Sequence, residues 1–192
     1  MLTRLYLAVQ FLTILPLPAK SSPPAERDVG KSSMYFPLVG LLQGFLLLLV
    51  FTVFIRILPN EIVAALVIAA LVICNGGLHF DGLSDTFDAL AARKSMEKKL
   101  AIMKDSTTGP IGVISTVLVL LLKYLAYKNA LTLAHMAAFV PLILSPVIAR
   151  WSMVPALFHG KSARDDGLGK VFLEHTKTLE MIGSTTLVLC VT

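Results

Sequence analysis

A chain of 192 residues that is 56% hydrophobic and 15% charged, with a mean hydropathy of +0.79, carries more apolar surface than a soluble domain of this length can hide. The net charge of +5 would otherwise suggest nucleic acid, but the cations sit in loops between apolar runs, as membrane topology requires, and a nucleic-acid partner is excluded. The composition predicts an all-α, polytopic integral membrane helical bundle with cytoplasmic polar loops, a single domain over 1–192 in contact with the lipid bilayer.

The first apolar run, Leu5 to Leu17, makes about 20 Å of helix, short of a hydrocarbon core of about 30 Å. Its cleavage signal is poor and Pro16 and Pro18 follow it, so an interfacial or re-entrant segment is expected rather than a signal peptide. The next run, near 34–58, reads as a span with Gln43 as its only strongly polar interior residue. Gly40 and Gly44, four apart, predict the close approach of a second helix. A second span follows near 61–78, beginning after the Pro59-Asn60 turn. Residues 79–110 form the most polar loop, with one or two surface helices expected from Leu90, Met96, Leu100 and Met103. Further spans are predicted near 111–127 and 130–154, the latter kinked by Pro141 and Pro146. A second polar loop covers 155–178, and 179–192 begins an apolar helix too short to cross, as if the chain were cut before its natural end. Cys74 and Cys190 have neither CxxC nor zinc spacing and read as buried free thiols.

Orientation follows from the cations. The loops at 17–34, 79–110 and 150–178 carry thirteen Lys and Arg, against Arg56, Lys123 and Lys128 in the alternate loops at 56–61 and 123–130, so the first set is expected to face the cytoplasm.

The stretch "GGLHFDGLSDTFDAL" places His79, Asp81, Asp85 and Asp88 where an apolar run ends. On a helix the three aspartates lie at i, i+4 and i+7, within about 60° of arc. Like charges so placed repel, and no cation stands three or four residues on to relieve them. One reading is a solvated helix face, acids first and Arg93, Lys94, Lys98 and Lys99 last, in order with the helix dipole. The other is a site for a hard cation: oxygen-rich clusters suit Mg2+, which takes one or two carboxylates and bridges to substrate phosphates. His79 serves equally as an interface histidine or a catalytic one. In "IMKDSTTGPIG" Lys104 would meet a phosphate and Asp105 a metal, although the segment also reads as a helix end and turn. In "SARDDGLGK" Arg164, Gly167 and Gly169 suit an anion, although an exposed loop explains them as well. Arg150 beside Trp151 is accounted for by snorkelling. Walker, GxSxG and HExxH motifs are absent, so a nucleotide here would be substrate or leaving group.

These segments together resemble the cobalamin synthase family, the adenosylcobinamide-GDP ribazoletransferases. "GGLHFDGLSDTFDAL" looks like the family signature, with "YFPLVGLLQG" before it and "IMKDSTTGPIGV" and "ARDDGLG" after it in the expected order. The resemblance runs from "FLTILPLP" to Lys170. It implies a Mg2+-dependent enzyme of the bacterial inner membrane that joins adenosylcobinamide-GDP to α-ribazole or its 5′-phosphate and releases GMP. It also implies roles: Asp81, Asp85 and Asp88 as metal ligands, or one of them as base; Asp105 as an outer or second-metal ligand; Lys104, Arg93 and Arg164 as phosphate contacts. The family usually continues for some fifty residues with a further site-forming motif, which this chain lacks; a homo-oligomer is left open.

Two other readings compete. A CDP-alcohol phosphotransferase-like lipid enzyme uses similar chemistry, but "DGLSDT" lacks the Ala-Arg and second glycine of that pattern. An ion-coupled transporter would want charges at mid-membrane and broken helices in paired halves, and no halves are visible.

Overall fold

The computed structural model describes residues 1–18, 23–105, 107–132, 135–163 and 167–191, and among these it is helical with no strand. In chain order the helices are α1 (Leu2–Leu12), α2 (Glu26–Lys31), a 3-10 turn (Ser32–Tyr35), α3 (Phe36–Phe54), α4 (Asn60–Cys74), α5 (Leu78–Ala91) and α6 (Met96–Ile102). They continue as α7 (Pro110–Leu131), α8 (His135–Trp151), α9 (Met153–His159), α10 (Leu168–His175) and α11 (Thr178–Val191).

Among the described residues three stretches are long and apolar enough to cross a membrane, Glu26–Phe54, Pro110–Leu131 and Ala137–His159, and the bent pair α4–α5 makes a fourth if it is counted as one span. Along α7, Ile114, Val117, Leu118, Leu121 and Leu122 are all exposed, a face that lipid rather than water would cover. Helices in lipid gain little from burying apolar groups against one another; close packing holds them instead. The α3–α8 pair shows how. A Cβ on Gly40 would lie 2.5 Å from the Pro146 carbonyl oxygen, and one on Gly44 would lie 2.8 Å from Ile143 Cα. The two glycines thus let the α8 backbone into contact, as their spacing predicts. Pro141 and Pro146 both lie inside α8.

Two apolar clusters flank this seam. One gathers Leu47, Phe51, Val63, Val67, Tyr127 and Leu142 from α3, α4, α7 and α8. The other joins Ala8, Leu12, Phe36, Val154 and Phe172, so α1 is docked on α3, α9 and α10. Stacked and tilted contacts among Phe11, Phe36 and Phe172 fill its centre.

α4 does not continue straight into α5. Gly76 and Gly77 take φ of 61° and 72°, a region that costs most side chains dearly, and the helix axes turn through 88°. The Ile14 amide donates to the Cys74 carbonyl at 2.9 Å, and the Ile14 side chain occupies the space a Cβ on Gly76 would need. The sequence suggests surface helices for this region. α6 fits that description, with no buried residue. α5 instead folds back into the bundle and packs along the first half of α7. Cys190 is exposed and Cys74 half-buried, so neither is the fully buried thiol expected.

Candidate active site

α5 and α7 run antiparallel, and glycines decide how near they come. Near the C-terminal end of α5, Asp88 accepts two backbone hydrogen bonds, from Gly109 N–H at 2.7 Å and from Gly112 N–H at 2.9 Å, one on each carboxylate oxygen. These amides belong to the first turn of α7, where N–H groups lack helical partners and the dipole favours an anion. A Cβ on Gly109 would fall 2.5 Å from Asp88 Oδ1, and one on Gly112 would collide with Ser84 Oγ and Asp88 Oδ2. "TTGPIG" is therefore more than a helix breaker: its glycines admit Asp88 to the start of α7. Ser84 Oγ is buried at this contact without a hydrogen-bond partner.

The α5 helix spanning 78–91 puts Asp81, Asp85 and Asp88 on one face, as their spacing requires. Asp81 is exposed and Asp85 half-exposed, and no ion pair reaches any of the three among the described residues. His79 looks the other way. Its Nε2 meets the Arg150 guanidinium, and because arginine has no acceptor, Nε2 must accept, leaving the proton on Nδ1. A neutral His79 so engaged has no Nε2 lone pair free for substrate.

Arg150 is the centre of a polar network that snorkelling does not describe. It is only 6% exposed. Its Nε donates to Gln43 Oε1 at 3.0 Å and its Nη2 to Asn75 Oδ1 at 2.6 Å. Gln43 Nε2 in turn donates to Asn75 Oδ1 at 2.7 Å and to the Leu12 carbonyl at 3.4 Å. Gln43, the lone polar residue of its span, was the visible half of this network. Arg150 reads as a snorkelling cation and Asn75 as a turn residue in the sequence alone, because their partners come from distant parts of the chain and spacing carries no sign of them.

The remaining candidates are more dispersed. Arg93 is exposed at the end of α5 with φ of 47°. Lys104 and Asp105 are exposed after α6, where Asp105 accepts from Thr107 N–H at 3.1 Å in a local turn. Gly167, φ 95°, precedes α10, and a Cβ on Gly167 or Gly169 would meet open space. α10 packs on α2 and α9, and no hydrogen bond or ion pair ties these glycines to the aspartates among the described residues. Arg164 lies outside the described residues.

Does this arrangement suit a divalent metal? No group of three or more His, Cys, Asp or Glu side chains is gathered for one among the described residues. Mg2+ needs only one or two protein carboxylates when substrate phosphates complete its shell. Asp81 and Asp85, a turn apart and unpaired, meet that smaller demand. Asp88, with both oxygens on α7, is better described as the clamp that fixes their helix.

The fold and this geometry define a class: a polytopic helical membrane protein with an acidic helix fixed against one of its spans. Residues 4–192 match the family model described as cobalamin-5-phosphate synthase, and the chain belongs to that family. Curated relatives agree. An adenosylcobinamide-GDP ribazoletransferase of Geotalea daltonii is 42% identical over 173 residues, covering 90% of this chain and 68% of the relative. Proteins of the same name from Fusobacterium nucleatum and Thermodesulfovibrio yellowstonii are 35% and 32% identical, each over 97% of this chain and 69% and 72% of their own lengths. No solved structure matches the chain.

Proposed function

We propose that this chain carries out the reaction its relatives are named for: transfer of adenosylcobinamide phosphate from adenosylcobinamide-GDP to α-ribazole or its 5′-phosphate. The observation that carries the reading is the family match over 4–192 joined to an aspartate face fixed by Asp88 on α7. The acceptor hydroxyl forms a new P–O bond, the diphosphate P–O bond breaks, and GMP leaves with its electron pair. Asp81 and Asp85 are the residues to hold Mg2+, which when bound spreads the negative charge developing on the phosphates. One of the two carboxylates accepts the hydroxyl proton. Arg93, Lys104 and Arg164 contact phosphate, Gly167 and Gly169 leave backbone room beside it, and Asp105 is an outer ligand.

The site lies toward the cytoplasmic side of a bacterial inner membrane. Arg150, Lys123 and Lys128 sit inside α8 and α7 rather than between spans, and setting them aside leaves twelve cations against one, with the bias kept.

Purified protein given adenosylcobinamide-GDP and α-ribazole should release GMP only with Mg2+. Asp81→Ala or Asp85→Ala should lower the rate by about 10²–10³, the size seen when a charge-stabilising group is lost, with membrane insertion unchanged. Wild-type turnover by both variants would remove the metal-site reading.

A further inference from the structure

At the other end of the α5–α7 contact lies a cavity of about 290 Å³, bounded by α3, α4, α5, α7 and α8. Its size approaches that of small-ligand sites. Most of the wall is apolar, from Ile68, Leu71, Val72 and Val119 among others. Into it face two cations, Arg150 and Lys123, with His79, Asn75 and Ser145 beside them. No Asp or Glu lines it.

The charge balance here is unusual. Arg150 is buried, and every partner it has is neutral: Gln43, Asn75 and His79. Lys123 is half-buried in the middle of α7, and no carboxylate is within ion-pair reach of either cation among the described residues. Two positive charges at membrane depth with no counter-charge among the described residues are costly, and ionisable residues so placed point to a functional site. Neutral partners orient the guanidinium without cancelling its charge. They leave the field of both cations directed at the cavity.

We infer that this cavity is an anion site for a phosphate group, held by Lys123 and Arg150, with apolar walls that favour a phosphate carried on a hydrophobic or aromatic body. It is distinct from the aspartate face, since His79 and Asp81 lie on opposite sides of α5. The inference stands whether or not the transfer reading holds. Phosphate can arrive as an anionic lipid headgroup or as a free phosphate, and basic pockets between spans are known to take the former.

The test uses delipidated, purified full chain in neutral detergent, with melting temperature as readout. One arm adds phosphatidylglycerol, with phosphatidylcholine as control. The other adds inorganic phosphate, with chloride at equal ionic strength as control. At least one anion should raise the melting temperature over its control, saturating as ligand binding does. A lipid response alone assigns a headgroup, a phosphate response alone assigns free phosphate, and both together assign the shared group. Lys123→Met should melt no lower than wild type without added anion, because it removes an unpaired charge, yet need about fivefold more anion for half its effect. Lys123→Arg should restore the wild-type response. Should Lys123→Met aggregate, Lys123→Gln carries the same comparison. Wild type indifferent to both anions, or a lysine variant that responds as wild type does, overturns the inference.

Discussion

The two ends of the α5–α7 contact handle charge in opposite ways. At one end Asp88 is answered in full, each oxygen taking a backbone N–H from the first turn of α7. At the other, Arg150 has only neutral partners and Lys123 has no ion-pair partner among the described residues. The first arrangement is complete without a ligand and fixes geometry. The second is incomplete in charge and is open to one. Asp81 and Asp85, unpaired on the same face as Asp88, belong with the second kind. Charges that build this protein and charges that serve it can thus be separated by asking which are already neutralised.

That separation can be broken by substitution. Gly112→Ala should do most damage, because a Cβ there meets Ser84 and Asp88 side chains and comes within 2.8 Å of the Ser84 carbonyl oxygen. A loss of about 3 kcal/mol is expected from overpacking, seen as a lower melting temperature together with lost transfer. Gln43→Leu should come next at about 2 kcal/mol, since it strips a buried guanidinium of a neutral acceptor. Asp88→Asn should cost about 1–2 kcal/mol, because an amide can offer only one acceptor to two N–H donors. Faster hydrogen exchange at Gly109 and Gly112 would report it. Asp81→Asn should change stability by less than about 0.5 kcal/mol, because the repulsion it relieves is offset by the loss of a carboxylate in the first turn of α5. Turnover should nonetheless collapse. A large stability loss in Asp81→Asn with normal turnover would erase the distinction between the two kinds of charge.

Much of this was legible in the chain. Gly40 and Gly44 announced the α3–α8 seam, and the i, i+4, i+7 aspartates announced a shared face, because both depend on helical period alone. A double glycine before His79 permits an interruption, but nothing in that spacing shows that the following helix folds back along α7. That outcome depends on Gly109 and Gly112, over twenty residues later, and on a carboxylate reaching their amides. Arg150 was misread for the same reason. A cation near the end of an apolar run looks like a snorkelling residue until α3, α5 and the turn after α4 supply acceptors for it. Lys123, counted as a loop cation, stands inside a helix that runs on to Leu131.

The bend after Cys74 has one more implication. It is tied by the Ile14 amide and side chain to the segment that follows α1, so the orientation of α5 is referenced to that segment. Substitutions that loosen Ile14 are therefore expected to reach the acidic face through this tie, although they lie far from it in sequence.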